Sequence, residues 1–450
     1  MADPAGRRRS LIDHPARYVV TCFVAAISVG TILLLLPVSS ADGRHTSVLT
    51  AAFTSTSAVC VTGLAVVDTA THWSAFGQVV LLVLVEVGGL GFMTIASLIV
   101  VLLSRRLGLR RQLVTTTERG VLRLGDIRSV LRGLGLVTLT VQASVAAILA
   151  VRLWSSTDLG PADALWYGVF HSVMAFNNAG FSLYPDNLVR FAGDWMILVP
   201  VMVAIIIGGL GFPVLVDLSR RRLRWRTLAF HSKVTLATTG ALLVVGFIIL
   251  TTFEWRNPAT LGPMPVPEKL LNGTFASVTP RTAGFNTVDV GSMRPESQLT
   301  TIALMFVGAG SAGTSGGIKV GTFAVLVMVV WSQLRGNRDA SGFKRRLPDS
   351  TVHQALTVTV VAMTVVLGAA AVILASARFP LGAGLFEAVS AFGTVGLSTG
   401  ITPQLPGFDR VVLMFLMLIG RVGPITLGAA LVLRSRPARY RYPEEAPLIG

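Results

Sequence analysis

The chain has 450 residues, of which 52% are hydrophobic and 13% charged, with 38 Lys and Arg against 22 Asp and Glu for a net charge of +16. Soluble domains carry about 25% charged residues, so this balance excludes an ordinary soluble enzyme or binding module and describes an integral membrane protein. The two cysteines, Cys22 and Cys60, and the six histidines form neither a disulfide framework nor a zinc spacing.

Taken from the N-terminus, eight apolar runs reach the roughly 17 to 25 residues that a helix needs to cross a bilayer. They are 18–36, 76–103, 133–154, 194–218, 228–253, 298–331, 352–377 and 408–433. The first is not read as a signal peptide, because no small-residue cleavage site follows it. Between the members of each successive pair lies a shorter dip, at 47–58, 165–176, 268–278 and 381–392, too short to span. Such a dip must satisfy its backbone inside protein or in a water-filled cavity, since lipid offers no hydrogen bonds. The links on the dip side carry Asp42, Asp158, Asp163, Asp186 and Asp289, and the proline-rich stretch 257–267 reads as an external loop.

The predicted organisation is an N-terminal segment 1–17, a first repeat 18–104, a basic segment 105–132 and a second repeat 133–219. A third repeat 220–334, containing the stretch 308–317, a fourth repeat 335–433 with its linker 335–351, and a tail 434–450 complete it. Segments 1–17, 105–132, 220–233, 335–346 and 434–441 hold 4, 8, 6, 5 and 4 Lys and Arg, which is 27 of the 38. All five fall on one side if eight helices alternate, so the positive-inside rule places both termini in the cytoplasm. The basic excess is thus read as topology, and nucleic acid is not expected as a partner.

Each dip follows one plan, opened by a phenylalanine and closed by a glycine: Phe53 to Gly63, Phe170 to Gly180, Phe275 to Gly284 and Phe386 to Gly396. The closing glycines lie 117, 104 and 112 residues apart, about a quarter of the chain, and each has a partner 25, 28, 24 and 24 residues on, at Gly88, Gly208, Gly308 and Gly420. Such a period is an internal repeat. The fold class expected is an all-α polytopic membrane protein, four repeats with pseudo-fourfold symmetry round a central pore.

A cation leaving water needs its hydration shell replaced, and rings of backbone carbonyls do this. Glycine permits the backbone angles required, and the partially negative C-terminal end of each short helix favours a cation. The predicted filter is Val61, Thr62 and Gly63; Asn178, Ala179 and Gly180; Thr282, Ala283 and Gly284; and Thr394, Val395 and Gly396. Their ligands are expected to be main-chain oxygens.

The sequences Ala58-Val59-Cys60-Val61-Thr62-Gly63-Leu64, Phe176-Asn177-Asn178-Ala179-Gly180-Phe181 and Arg281-Thr282-Ala283-Gly284-Phe285-Asn286 resemble the Trk/Ktr/HKT superfamily of potassium transporters over about residues 15 to 435. The similarity is closest to the KtrB branch, because the first span begins near Tyr18 without the additional N-terminal helices of TrkH. The resemblance implies a potassium-uptake pore, commonly homodimeric with one pore per protomer, and a cytoplasmic ring of nucleotide-binding RCK subunits, KtrA or TrkA like. It implies no organic cofactor in this chain. Some plant relatives carry serine in the first loop and favour sodium, so Gly63 points to potassium, with sodium the alternative ion.

The sixth span is interrupted by Gly308, Gly310, Gly313, Gly316 and Gly317, followed by Lys319. Each glycine costs a helix interior about 1 kcal/mol against alanine. Counting about 1.5 Å per residue from Gln298 puts Gly308 about 15 Å deep, the middle of a core about 30 Å thick. The predicted helix is broken there, and the resemblance makes the loop a gate beneath the filter; a purely structural kink is the alternative. The formal G-x-G-x-x-G match lacks the preceding strand that a dinucleotide site needs. Arg421 lies at the same depth in the last span, where a central arginine costs at least about 2.5 kcal/mol. The expectation is that it latches the loop by its freed carbonyls; snorkelling towards the cytoplasm is the alternative.

Glu86 is expected to pair with Lys319 or Arg421, to attract cations below the filter, or to pack in neutral form. Asp68 is placed at the outer mouth as a cation attractor or a solvated loop residue. His171 is read as structural, and Asn177 and Asn178 as braces of the second loop. Two rivals are a sodium-permeable relative and a proton-coupled carrier using Glu86. A membrane enzyme is disfavoured, because no paired carboxylates, metal cluster or nucleophile triad occurs at suitable depth.

Overall fold

A computed structural model describes residues 15–111, 126–221, 224–337, 339–376 and 379–434; the expected terminal segments up to 14 and from 435, and the centre of the segment 105–132, lie outside them. The first repeat comprises α1 (Pro15–Leu35), the short α2 (Val48–Val59), a single turn α3 (Thr69–His72) and α4 (Ala75–Arg111). The second comprises α5 (Asp126–Ser156), the short α6 (Pro161–Asn177), α7 (Trp195–Leu210) and α8 (Phe212–Arg220). In the third are α9 (Phe230–Glu254), the short α10 (Val266–Val278), α11 (Pro295–Phe306) and α12 (Val320–Leu334). The fourth holds α13 (Asp349–Ser376), the short α14 (Leu381–Gly393) and α15 (Gly407–Arg434). The fold is a polytopic helical membrane protein. Helix α4 has 37 residues, about 55 Å at 1.5 Å each, so it continues beyond the apolar run 76–103.

The short helices start where the sequence supplies caps. Ser47 Oγ accepts the Thr50 N–H at 3.2 Å at the head of α2, while α6 and α10 have proline in their first turn, where a missing N–H costs nothing. These four helices form the centre of the bundle. The phenylalanines that open the repeats, Phe53, Phe170, Phe275 and Phe386, are all buried. Lipid is as apolar as leucine, so packing and hydrogen bonds hold membrane helices together. Three repeats use one device for this, a serine two residues after the phenylalanine. Ser55 Oγ donates to Ile27 O at 2.8 Å, Ser172 Oγ to Gln142 O at 2.6 Å and Ser277 Oγ to Leu243 O at 2.6 Å. Each stitches a short helix to the first spanning helix of its repeat; the fourth repeat has Ala388 there. Large apolar side chains such as Ile32, Leu139, Leu299 and Phe415 are exposed on the outside, as a lipid-facing surface requires.

Two features depart from the sequence expectation. The fourth span, expected to be continuous over 194–218, is bent by 98° between α7 and α8. Gly211 takes φ +89 at the break, and Pro213 follows it. The carbonyls freed at the end of α7 are met by another repeat: Gly310 N–H donates to Gly209 O at 2.8 Å and Thr314 N–H to Gly208 O at 3.2 Å. The linker 335–351 also contains a short hairpin, β1 (Ser341–Gly342) with β2 (Arg345–Arg346), antiparallel with Ser341 opposite Arg346.

Candidate functional site

After each short helix, two positions before the repeat glycine, stands a residue with left-handed backbone; in α6 and α14 it is the C-cap itself. These are Val61 (φ 57), Asn178 (φ 61), Thr282 (φ 75) and Thr394 (φ 49). Three are β-branched, a residue class for which positive φ is a genuine outlier, and strain of this kind clusters at functional sites. Gly63, Gly284 and Gly396 are left-handed as well, at φ 87, 74 and 92, whereas Gly180 is not among the positive-φ residues. The side chains of these four stretches are buried.

The four glycines close a cycle. A Cβ on Gly63 would meet Gly180 N at 2.4 Å, and one on Gly180 would meet Gly284 C at 2.6 Å. One on Gly284 would meet Val395 O at 2.3 Å and Gly396 Cα at 3.1 Å, and one on Gly396 would meet Thr62 O at 2.2 Å and Gly63 Cα at 3.2 Å. The loops therefore converge backbone to backbone on one axis, in the order of the repeats.

Their bracing follows repeat position too. Ser57 and Ser390, six residues before the glycine, accept the N–H groups of Gly63 and Gly396 at 3.1 and 3.2 Å. Met174 and Val278 occupy those places in the other two loops. The second loop relies on polar side chains instead. The Asn178 amide is oriented with its oxygen accepting from Thr282 Oγ1 at 3.2 Å and its nitrogen donating to Ala175 O and Ile205 O at 3.1 and 3.2 Å, since the opposite orientation would face the oxygen to acceptors. His171 bridges Tyr167 O at 2.8 Å and Ser182 Oγ at 3.1 Å, a structural arrangement. The partner glycines seat the second spanning helices on the short-helix ends: a Cβ at Gly88, Gly208 or Gly420 would lie 2.1, 1.9 or 1.7 Å from Val59 O, Phe176 O or Phe392 O.

Beneath the ring lies the loop between α11 and α12, pinched at its base by Gly308 N–H to Ile318 O at 2.9 Å and Val320 N–H to Ala309 O at 3.1 Å. Its amides are bonded outward as well as inward, Gly310 and Thr314 to the end of α7 and Gly317 to Gly420 O at 3.2 Å. Three buried cations take its carbonyls. Arg421 donates through Nη1 to Thr314 O and through Nη2 to Gly88 O at 3.1 Å. Lys319 Nζ donates to Ser315 O, and Arg281 Nη2 donates to Gly308 O at 3.1 Å. The structure thus joins Arg421, Lys319 and all five glycines of the stretch in one unit.

One of the expectations for Glu86 needs correction. Glu86 forms no ion pair with Lys319 or Arg421; its Oε2 accepts from Asn177 Nδ2 at 2.6 Å and Gln142 Nε2 at 3.0 Å. Two neutral amides thereby couple α4 to α5 and to the base of the second loop. Asp68, half-buried in the loop after the first ring residue, caps α3 through Oδ1, which accepts the N–H groups of Ala70 and Thr71 at 2.7 and 3.0 Å. On the loop after α1, the Ser40 hydroxyl and the Arg44 amide hold the Asp42 carboxyl below the usual carboxylate range. Sequence reasoning passed over two residues. Glu387, fully buried in α14, braces the segment after the fourth loop by accepting from Ser398 Oγ at 2.5 Å, Thr402 Oγ1 at 2.8 Å and Thr399 N–H at 3.2 Å. Arg281 is the other. The sequence signal was slight: Glu387 is a carboxylate inside the dip 381–392, and Arg281 is a cation between the dip 268–278 and Gly284.

A ring of four re-entrant loops inside a helical bundle, with a broken helix beneath it, defines a membrane protein of the cation-transport class. The family model described as TrkH, a cation transport protein, matches residues 12–436, and the chain belongs to that family. It is 38% identical over 438 residues to the Ktr system potassium uptake protein B of Bacillus subtilis, covering 97% of each chain. It is 36% identical to the Vibrio alginolyticus protein of the same name, covering 99% of this chain and 97% of that one. The potassium/sodium uptake protein NtpJ of Enterococcus hirae is 36% identical, with 97% of each covered. The crystal structure of the potassium transporter TrkH from Vibrio parahaemolyticus superposes with a TM-score of 0.73 at 17% identity, over 96% of this chain and 87% of that one.

Proposed function

We propose that the chain is the pore-forming subunit of a potassium uptake system, with the ring of loops as its ion filter and the loop 307–319 as its gate. The observation that carries this reading is the closed cycle of Gly63, Gly180, Gly284 and Gly396, in which each glycine abuts the next repeat's backbone. Carbonyls fixed around such an axis replace an ion's hydration shell. The names of the relatives in Bacillus subtilis and Vibrio alginolyticus supply potassium as the cargo. Under this reading the chain lies in a prokaryotic cell membrane as a homodimer with one pore per protomer. Both termini face the cytoplasm, where a nucleotide-binding RCK ring of the KtrA or TrkA type biases the gate.

Replacing Gly63 by serine tests the filter. At φ +87 an L-residue is strained whatever the space, and the new Cβ would press on Gly180 N; left-handed backbone alone costs about 1–2 kcal/mol. Gly63→Ser is expected to lower the ratio of potassium to sodium uptake by roughly tenfold, read as rescue of a potassium-uptake-deficient bacterium in each salt. An unaltered ratio would remove the first loop from the filter.

Sodium permeation is the second reading, favoured by the potassium/sodium naming of the Enterococcus hirae relative; sodium influx that competes with potassium in liposomes would establish it. Glu86 is the residue to test for proton coupling. Glu86→Gln turns one acceptor towards the amide donors of Gln142 and Asn177 into a donor, a loss of about 1–3 kcal/mol seen as a lower melting temperature. Uptake is expected to keep the parent's pH response; a variant that lost that response would instead make the protein a proton-coupled carrier.

A further inference from the structure

We infer that Arg281 is a positioning residue that ties the third filter loop to the gate, so that the loop 307–319 cannot move without disturbing selectivity. The inference rests on the reading of that ring and loop as filter and gate.

Arg281 stands in the filter loop itself, one residue before left-handed Thr282 and three before Gly284. Its backbone is fixed, with its N–H donating to Val278 O at 3.1 Å and the Ala283 N–H donating to Thr279 O at 3.0 Å. The side chain is 4% exposed and reaches down to Gly308 O, the first glycine of the gate loop. Nη1 has no hydrogen-bond partner among the described residues. A cavity of about 10 Å³ beside the guanidinium, bounded by Ile205, Gly209, Thr239, Val278 and Ala309, is at the lower limit for one water. A hydration shell therefore has no room, and the charge depends on the Gly308 carbonyl dipole.

That dependence creates the coupling. If the gate loop leaves and Arg281 stays, a buried cation loses the acceptor that compensates it, which is strongly unfavourable. If Arg281 follows the loop, it draws on a backbone whose next residues are filter residues. Arg421 differs, because it reaches Thr314 O from α15, which contributes no residue to the filter cycle. Gate and filter thus share one side chain on the third repeat, and a second cation closes the gate without touching the filter.

The test uses full-length protein in liposomes without any cytoplasmic partner, recording potassium leak and the potassium-to-sodium ratio separately. Arg281→Met keeps length and removes the charge. It is expected to raise leak roughly tenfold or more and to lower the ratio by a similar factor, whereas Arg421→Met is expected to raise leak with the ratio retained. Should Arg281→Met fail to reach the membrane, Arg281→Gln, neutral and too short for Gly308 O, is read in the same way. A raised leak with an unchanged ratio would reduce Arg281 to a second latch and overturn the coupling, as would no change in either. Parent protein that passes no potassium would instead remove the functional reading, leaving the two failures distinguishable.

Discussion

Gly420→Ala is expected to leave little folded protein in the membrane, and what is recovered should melt well below the parent. The position is helical, where alanine is preferred over glycine by about 1 kcal/mol, so propensity alone predicts stabilisation. The contact decides otherwise. A Cβ would stand 1.7 Å from Phe392 O and 2.6 Å from Phe392 C, where ordinary contact begins at 3.4 Å. Both obstacles are backbone, and neither can rotate aside. Helix α15 must back away from the end of α14, which loosens the fourth loop of the ring and the Gly317 N–H bond to Gly420 O. Overpacking of a well-filled core costs about 1–3 kcal/mol and occasionally more; with an immovable carbonyl, about 3 kcal/mol or more is expected. Gly321→Ala in α12 is the control, since nothing lies within 4 Å of its added methyl. It should be neutral or slightly stabilising in the same detergent melting assay. Equal melting temperatures for Gly420→Ala and the parent would show that α15 does not need to touch α14.

The same residue illustrates what the sequence made legible. The spacing from Gly396 to Gly420, repeated from Gly63 to Gly88 and from Gly180 to Gly208, marked these glycines as equivalent, and in the fold all three seat a helix on the last carbonyls of a short helix. The fourth member is different: Gly308 packs on Gly316 O of its own loop, because the third repeat has exchanged a helix contact for the broken segment between α11 and α12. The broken helix of that repeat was legible from its glycine density. The bend at Gly211 was not, since a single Gly-Phe-Pro step inside an apolar run reads as continuous. Its cause lies 100 residues further on, in the Gly310 and Thr314 amides that satisfy the freed carbonyls of α7. Charges were read least well. Glu86 and Asp68 attract attention as isolated carboxylates, yet an amide pair and a helix turn absorb them. Hydrogen-bond partners distant in sequence leave no periodic trace, which is why Arg281 and Glu387 needed coordinates.

Arg421→Ala is expected to produce a transporter that leaks without its cytoplasmic partner. The guanidinium is fully buried in α15 and joins Thr314 O of the loop between α11 and α12 to Gly88 O of α4. A cation at this depth costs about 2.5–3.5 kcal/mol on insertion scales, a cost that carbonyls such as Thr314 O in the broken helix and Gly88 O in α4 help to offset. Hydrogen bonds to a charged group contribute about 1.5–3 kcal/mol each. Losing two of them removes roughly 3–6 kcal/mol that favours the closed loop, although the amide bonds from Gly310, Thr314 and Gly317 remain. Even half of that shift moves a two-state gate by about tenfold to a hundredfold, so partner-independent potassium flux should rise by that order. Arg421→Lys should fall between parent and alanine, because a single ammonium cannot span two carbonyls on different elements as a planar fork does. Helix α15 tolerates alanine, so expression is expected to hold and the effect to lie on flux. Partner-independent uptake in Arg421→Ala no greater than the parent's would mean that the amide bonds alone keep the loop shut and that Arg421 only fills its place in the bundle.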